Sequence, residues 1–231
     1  MSHQTPTLNP IAAAGERADP SLSLPGLHAS APETLPFAPS LAIRAFLLRR
    51  ARGNVLVYST SAVRPGEPWI ENAGGVTRRY LNHGHEAMFA GDEIDAPLFV
   101  HAADRDSVAP GLHVRGTFSR RHVLDEDFEV IPTPGHTPGA TAYLWDSGEH
   151  RFLFTGDTIL LRDGEWRAAV LDSSDRASYI ESLELIGGLD FDVLVPWAAT
   201  RGGPYLAHTD RADARARIDA IIDRLRRGES G

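Results

Sequence analysis

Three short segments carry residue types that bind metal ions: Asn82-His83-Gly84-His85-Glu86, Pro134-Gly135-His136-Thr137-Pro138-Gly139 and Phe154-Thr155-Gly156-Asp157-Thr158. Each follows an apolar stretch, namely Val76 to Leu81, Phe128 to Ile131 and Arg151 to Phe154. This gives three imidazoles and a carboxylate on loops at strand ends, where a rigid sheet holds ligating side chains in place. Such a donor set suits one divalent ion, zinc first, with iron or manganese as alternatives, and leaves a position open for water or substrate. His83 and His85 reach a single ion if the backbone kinks at Gly84, and the Pro and Gly residues around His136 permit a tight turn. Asp157 is either a ligand or the cap of a turn. Glu86 also has two readings: a base or supporting partner beside the ion, or a solvent-facing carboxylate at a helix start.

An ion held by His83, His85 and His136 lowers the pKa of bound water toward about 7, which supplies hydroxide for attack on a carbonyl. That chemistry fits hydrolysis of a small ester, thioester or lactone, with Asp157 and Glu86 as the candidate catalytic carboxylates. A second class is open. His83, His136 and Asp157 form the two-histidine, one-carboxylate set of non-haem iron(II) and oxygen chemistry. A third is a chain that binds a metal without turning anything over.

In these segments the chain resembles the metallo-β-lactamase-fold superfamily, whose pattern is a His-x-His-x-Asp-His run, a Pro-Gly-His-Thr-Pro-Gly loop, a Gly-Asp loop and a late His. His83, His85, His136 and Asp157 match in order, and the resemblance runs from about Leu41 to Leu206. It implies an α+β fold, a four-layer αβ/βα sandwich of two mixed β-sheets flanked by helices. It also implies that the three histidines build a first metal position and that Asp157 bridges to a second. The second position's own ligands are absent: Ala87 and Met88 replace the Asp and His, and Trp197-Ala198-Ala199-Thr200 stands where the late His is expected; as a separate departure, Ser59 replaces an Asp after an early strand. The expectation is a single ion. The resemblance to persulfide dioxygenases of the superfamily is partial, because they keep the residues lost at Ala87 and Met88. The glutathione-thioesterase branch is disfavoured, because its substrate-binding residues include lysine and all 23 basic residues here are arginine.

The elements that must position these loops are legible as alternating or apolar runs: Leu41 to Leu48, Asn54 to Thr60, Pro97 to His101, Leu124 to Ile131, Ala140 to Trp145, Arg151 to Phe154 and Phe191 to Val195. A short helix is expected over Glu86 to Glu93. Asp175 to Ile186 reads as a helix with Ser173 or Ser174 available to cap it and Gly187-Gly188 to end it. Asp210 to Arg227 carries Ile218, Ile221, Ile222 and Leu225 at helical spacing. Trp145, Trp166, Trp197, Phe89 and Met88 line a pocket or pack in the core. His101 reads as core or as support behind the ligands, and His113, His122, His150 and His208 as surface.

Residues 1 to about 36 stand apart, with six prolines and no periodicity. A segment of that composition cannot pack on itself. It reads as a flexible tail, either loosely draped or an arm that embraces a second copy in a homodimer, ahead of one domain over 37–231. A formal charge of −8 with no basic run outside the last helix disfavours nucleic acid as a partner and leaves a small molecule as the expected substrate. No apolar stretch is long enough for a membrane span, and the N-terminus lacks a basic start with an apolar core, so a cytoplasmic location is expected. Without cysteine, thiolate ligands, disulfides and a Cys nucleophile are excluded.

Overall fold

Residues 24–229 are described by a computed structural model. The first half forms β1 (Leu27–Ala29), β2 (Glu33–Leu35), β3 (Ala38–Ile43), β4 (Phe46–Leu48), β5 (Val55–Val57), helix α1 (Pro68–Glu71), β6 (Arg78–Tyr80), β7 (Leu98–His101), α2 (Arg105–Val108) and β8 (Val114–Phe118). The second half forms β9 (His122–Leu124), β10 (Phe128–Pro132), β11 (Thr141–Asp146), β12 (Arg151–Gly156), β13 (Leu160–Arg162) and β14 (Glu165–Arg167). It closes with α3 (Arg176–Ile186), β15 (Val193–Pro196), β16 (Ala198–Thr200), β17 (Ala207–His208) and α4 (Arg211–Arg226).

The strands assemble into two six-stranded sheets, β1-β4-β5-β6-β7-β8 and β17-β15-β12-β11-β10-β9. Both are mixed: β5 to β8 run parallel beside the antiparallel β4, and β12 pairs parallel with β15 in an otherwise antiparallel ladder. A third, five-stranded ladder, β14-β13-β16-β3-β2, was not legible in the sequence. It arises because β3 leads directly into β4 and β15 into β16, so both chains cross from this ladder into a large sheet.

Alternation along the strands explains the layers. Phe46, Val55, Val57, Phe128, Tyr143, Phe152 and Phe154 point into one core between the large sheets. Their neighbours Leu144, Leu153 and Leu194 point the other way, onto Tyr179, Leu183 and Ile186 of α3 and Ile218, Ile221 and Ile222 of α4. On the far side of the first sheet, Leu47 and Leu56 meet Ile70, and Leu98 and Val100 meet Val108. Side chains of period two, apolar on both faces, require a helical cover on each outer face. The expected four-layer α+β sandwich follows.

Several boundaries differ from those expected. Leu27–Ala29 pairs with β4 and Glu33–Leu35 with β3, so residues 27–35 belong to the folded unit rather than to a tail, while residues 1–23 lie outside the described residues. Leu41 to Leu48 breaks at Arg44-Ala45, and Leu124 to Ile131 breaks at a tight turn where Asp125 and Glu126 take φ of 54° and 74°. The expected helix over Glu86 to Glu93 is a 3₁₀ turn over Gly84–Met88. The cap of α3 is Asp175, which accepts from the backbone N–H of Ala177 and Ser178, and neither serine is used. No helix among the described residues is long and apolar enough to cross a membrane.

Candidate metal centre

The parallel strands β5, β6 and β7 end on one rim of the first sheet, and the parallel pair β12 and β15 ends on the facing rim of the second. The loop after β6 carries His83 and His85, the loop after β10 carries His136, and the bend at the end of β12 carries Asp157. One ligating nitrogen from each of the three histidines lies within 4.8 Å of the others. His85 Nδ1 is 3.1 Å from His136 Nε2. Asp157 Oδ2 stands 3.5 Å from His83 Nε2 and 3.6 Å from His136 Nε2. The three histidines therefore converge, and Asp157 stands beside two of them.

The neighbours of the rings fix which nitrogen faces inward. His83 Nδ1 lies 3.0 Å from Asn82 Oδ1, and His136 Nδ1 lies 2.6 Å from the carbonyl oxygen of Ala169. An amide or carbonyl oxygen can only accept, so each Nδ1 carries the proton and each Nε2 presents a lone pair to the centre. Burial lowers the His83 pKa to about 3. Burial likewise lowers His136, and lowers His85 together with the neighbouring His136. Neutral imidazole is the ligating form.

The donor set fits a divalent cation on a further observation. His83 Nε2 and Asp157 Oδ1 are buried and have no hydrogen-bond partner within the protein. Buried polar atoms are almost always satisfied, and a cation among the three histidine nitrogens would satisfy His83 Nε2.

Two buried carboxylates brace the first loop. Glu86 Oε1 accepts from the backbone N–H of Asn82 at 2.7 Å and of His83 at 3.4 Å, and Oε2 accepts from that of Ser59 at 2.9 Å. Glu86 is fully buried, neither solvent-facing nor free to exchange a proton with a substrate, because three backbone donors occupy its oxygens. Burial pushes its pKa up to about 8 against the opposing pull of those donors. Its place is behind the ligands, joining the ends of β5 and β6. Asp104, which no motif in the sequence singles out, accepts from Gly84 N and Gly139 N at 2.8 Å each and from Thr137 Oγ1 at 2.7 Å. It ties the His83–His85 loop to the His136 loop. His101 itself caps a turn, accepting from Ala103 N, and packs edge-on against the Phe118 ring.

Helix α3 supports the second-sheet ligands. Ser182 Oγ donates to Pro134 O, Asp175 N donates to Gly135 O, and the Tyr179 hydroxyl meets the carbonyls of Asp157 and Thr158 and the N–H of Ala169. This role was not legible, since the helix reads only as a packing element.

Where the resemblance places second-metal ligands, Ala87 is half-buried and Met88 is 67 % exposed. The Trp197 indole is buried, lies 5.2 Å from the His83 ring and 5.5 Å from the Phe89 ring, and donates Nε1–H to Ser59 O at 3.0 Å. Trp145 and Trp166 belong to the cores, stacked on Phe152 and Phe191. Among the described residues, His83, His85 and His136 are the one metal-ligating cluster of His, Cys, Asp or Glu. His113, His122 and His208 are exposed, and the half-buried His150 pairs with Asp192 at 2.7 Å.

Comparison with known proteins agrees with this geometry. A 44-residue stretch is 48% identical to a hydroxyacylglutathione hydrolase from Erwinia tasmaniensis, covering 19% of this chain and only 16% of that protein. A metallo-beta-lactamase family protein from Thermus thermophilus superposes with a TM-score of 0.62 at 19% identity, over 88% of this chain and 80% of the other. A metallo-beta-lactamase from Pontibacter korlensis gives 0.62 at 13% identity, over 86% and 95%. At such identities these structures bear on the fold alone. The model of the family described as the metallo-beta-lactamase superfamily matches residues 45–198, a span that holds His83, His85, His136 and Asp157, and the chain belongs to that superfamily.

Proposed function

We propose that the protein is a metal-dependent hydrolase of a small ester, thioester or lactone, working with one divalent ion, zinc in the first instance. The observation that carries this reading is the tautomer geometry. His83 Nε2 and His136 Nε2 are both set as lone-pair donors beside His85 Nδ1 and an unpartnered Asp157 oxygen. A divalent ion bound there supplies a Lewis acid that polarises a carbonyl and acidifies water.

The chain's own residues do the rest. Asp157, whose Oδ2 stands 3.5 Å from His83 Nε2 and 3.6 Å from His136 Nε2, is the carboxylate that would accept a hydrogen bond from the attacking water. The neutral histidines keep net positive charge at the centre to a minimum until an ion arrives. Trp197 and Phe89 put an apolar wall on the side where the resemblance would place a second ion, which supports a single-ion centre and an apolar substituent on the substrate. The short match to a hydroxyacylglutathione hydrolase favours the thioester member of the three, though the absence of lysine points to a different way of holding the thiol portion. A small-molecule substrate, no nucleic acid partner and a cytoplasmic location go with this reading. The iron-oxygenase alternative needs only His83, His136 and Asp157, and His85 within 3.1 Å of His136 Nε2 argues for three imidazoles instead.

Elemental analysis of protein purified without an affinity metal column, beside the His136→Ala variant and an ester and thioester panel, tests the proposal. About one zinc per chain, with turnover lost in the variant, supports it. Two ions per chain, iron with dioxygen uptake, or a bound ion without turnover of any acyl substrate each overturn it.

A further inference from the structure

The hydroxyl of Tyr179 stands at a junction that no ligand touches directly. Oη lies 2.8 Å from the carbonyl oxygens of Asp157 and Thr158, and it accepts from Ala169 N at 3.1 Å. The carbonyl of that same Ala169 is the acceptor for His136 Nδ1–H at 2.6 Å. One phenol therefore holds the backbone of one ligand, Asp157, and the residue that sets the tautomer of another, His136. Tyr179 is fully buried, so its hydroxyl has no recourse to solvent and its bonds to these groups are obligatory. The helix carrying it cannot drift. A Cβ on Gly135 would come within 2.4 Å of Tyr179 Cα, so the His136 loop lies directly on the helix backbone, and Ser182 and Asp175 N anchor the same loop at Pro134 O and Gly135 O.

We propose that Tyr179 is a positioning residue that sets two metal ligands at once, the Asp157 carboxylate through its own backbone and the His136 tautomer through Ala169. It does not touch substrate or ion. The inference rests on the three-histidine centre proposed above but not on the reaction assigned to it, so its test reads no turnover.

Tyr179→Phe deletes the hydroxyl and keeps the ring in the core. Ser182→Ala is the comparison, because it removes a hydrogen bond from the same helix to the same loop without reaching Ala169. Two quantities are measured on each folded protein. The first is the His136 tautomer in the metal-free state, by long-range proton–nitrogen correlation; the second is the dissociation constant for zinc, by competition with a chelator. The wild type is expected to show His136 as the Nδ1–H tautomer. Tyr179→Phe is expected to mix the two tautomers and weaken zinc binding by about 10- to 100-fold, the range for groups that orient a ligand from behind. Ser182→Ala is expected to keep the tautomer and bind within about twofold of wild type. A wild-type His136 protonated at Nε2 overturns the proposal whether or not any variant folds. So does a Tyr179→Phe protein with unchanged tautomer and affinity, and so does equal weakening in Ser182→Ala, which would mark a general loosening of the helix. If zinc fails to bind the wild type, the centre itself falls, and the tautomer measurement still decides whether Tyr179 orients His136.

Discussion

The Trp197 indole stands edge-on to the His83 imidazole, ring centroids 5.2 Å apart at 76°, and ties itself through Nε1–H to the carbonyl of Ser59. An aromatic residue thereby takes over the flank of the centre, buttressing the most buried ligand instead of adding another. Trp197→Ala is expected to cost about 3–5 kcal/mol of stability, the range for deleting a buried aromatic ring. It should leave the number of bound ions unchanged, since no ligand is gained or lost. Denaturant unfolding beside elemental analysis checks both; a loss below about 1 kcal/mol would show that the ring is not packed as described.

Asp104 accepts three hydrogen bonds that join the two histidine loops. Asp104→Asn replaces one carboxylate oxygen by a donor and leaves one of its partners unsatisfied. A loss of about 1–3 kcal/mol is expected from the stranded group, together with zinc affinity weakened about 10- to 100-fold. Isothermal titration with zinc and urea unfolding would measure these, and an unchanged affinity would confine Asp104 to folding.

Backbone clearance matters as much as side chains at Gly156. Its φ is +56°, and an added Cβ would fall 1.8 Å from Asn82 Oδ1, the acceptor beside His83 Nδ1. Gly156→Ala must therefore displace Asn82 and release His83 from its oriented state. About 3 kcal/mol of destabilisation is expected from the overpacking, with zinc binding lost before the fold is. Thermal unfolding with and without zinc separates the two effects, and a variant that zinc stabilises as much as wild type would contradict the account.

In the metal-free protein, stability should fall toward both acid and alkali for identifiable reasons. His83 has its folded pKa near 3 against 6.5 in an unfolded chain. As pH drops below about 6.5, the unfolded state takes up a proton that the folded state refuses, and stability declines. Glu86 works in the opposite sense, folded near 8 against 4.5 unfolded. Its unfolded form ionises first, so stability declines as pH rises between those values. The two oppose each other between about 4.5 and 6.5, and from about 6.5 to 8 Glu86 acts without His83, with a limiting slope near 1.4 kcal/mol per pH unit. Glu86→Gln should be less stable throughout, because its amide offers one acceptor oxygen in place of two, yet show a shallower slope in that upper window. Urea unfolding across the pH range is the measurement, and a wild-type profile already flat above 6.5 would remove Glu86 as the source.

The candidate ligand loops were legible because each is a local motif, a histidine or aspartate next to a glycine after a strand-like run. The sheets were legible for a related reason: Phe46, Val55, Phe152 and their neighbours alternate cleanly, and both faces of these strands are apolar. What escaped the sequence acts across long separations through backbone atoms. Asp104 meets Gly139 N at a distance of 35 residues, and nothing in the spacing of either announces it. Tyr179 lies on a helix whose apolar positions suffice to explain it as packing. Glu86 stays open between support and surface in the sequence, because a carboxylate after a histidine looks solvent-facing until the N–H of Ser59, beyond another strand, is found to need it. The turn at Asp125-Glu126 was missed because left-handed backbone there is adopted without glycine. The strands in residues 27–35 were hidden by proline-rich composition that suits an edge as well as a tail.

The four candidate ligands come from two sheets, His83 and His85 from the first and His136 and Asp157 from the second. Each sheet has its own hydrogen-bonded ladder, and neither presents more than two of these residues alone. A cation can therefore grip the chain only after the large apolar faces have closed on one another, and it leaves its full complement of ligands only when they part. In kinetic terms the ion works as a rivet driven last. It does little to guide the sheets together, but once seated it slows their separation, so metal exchange should keep pace with the opening of the sandwich and not with the fluctuation of any single loop.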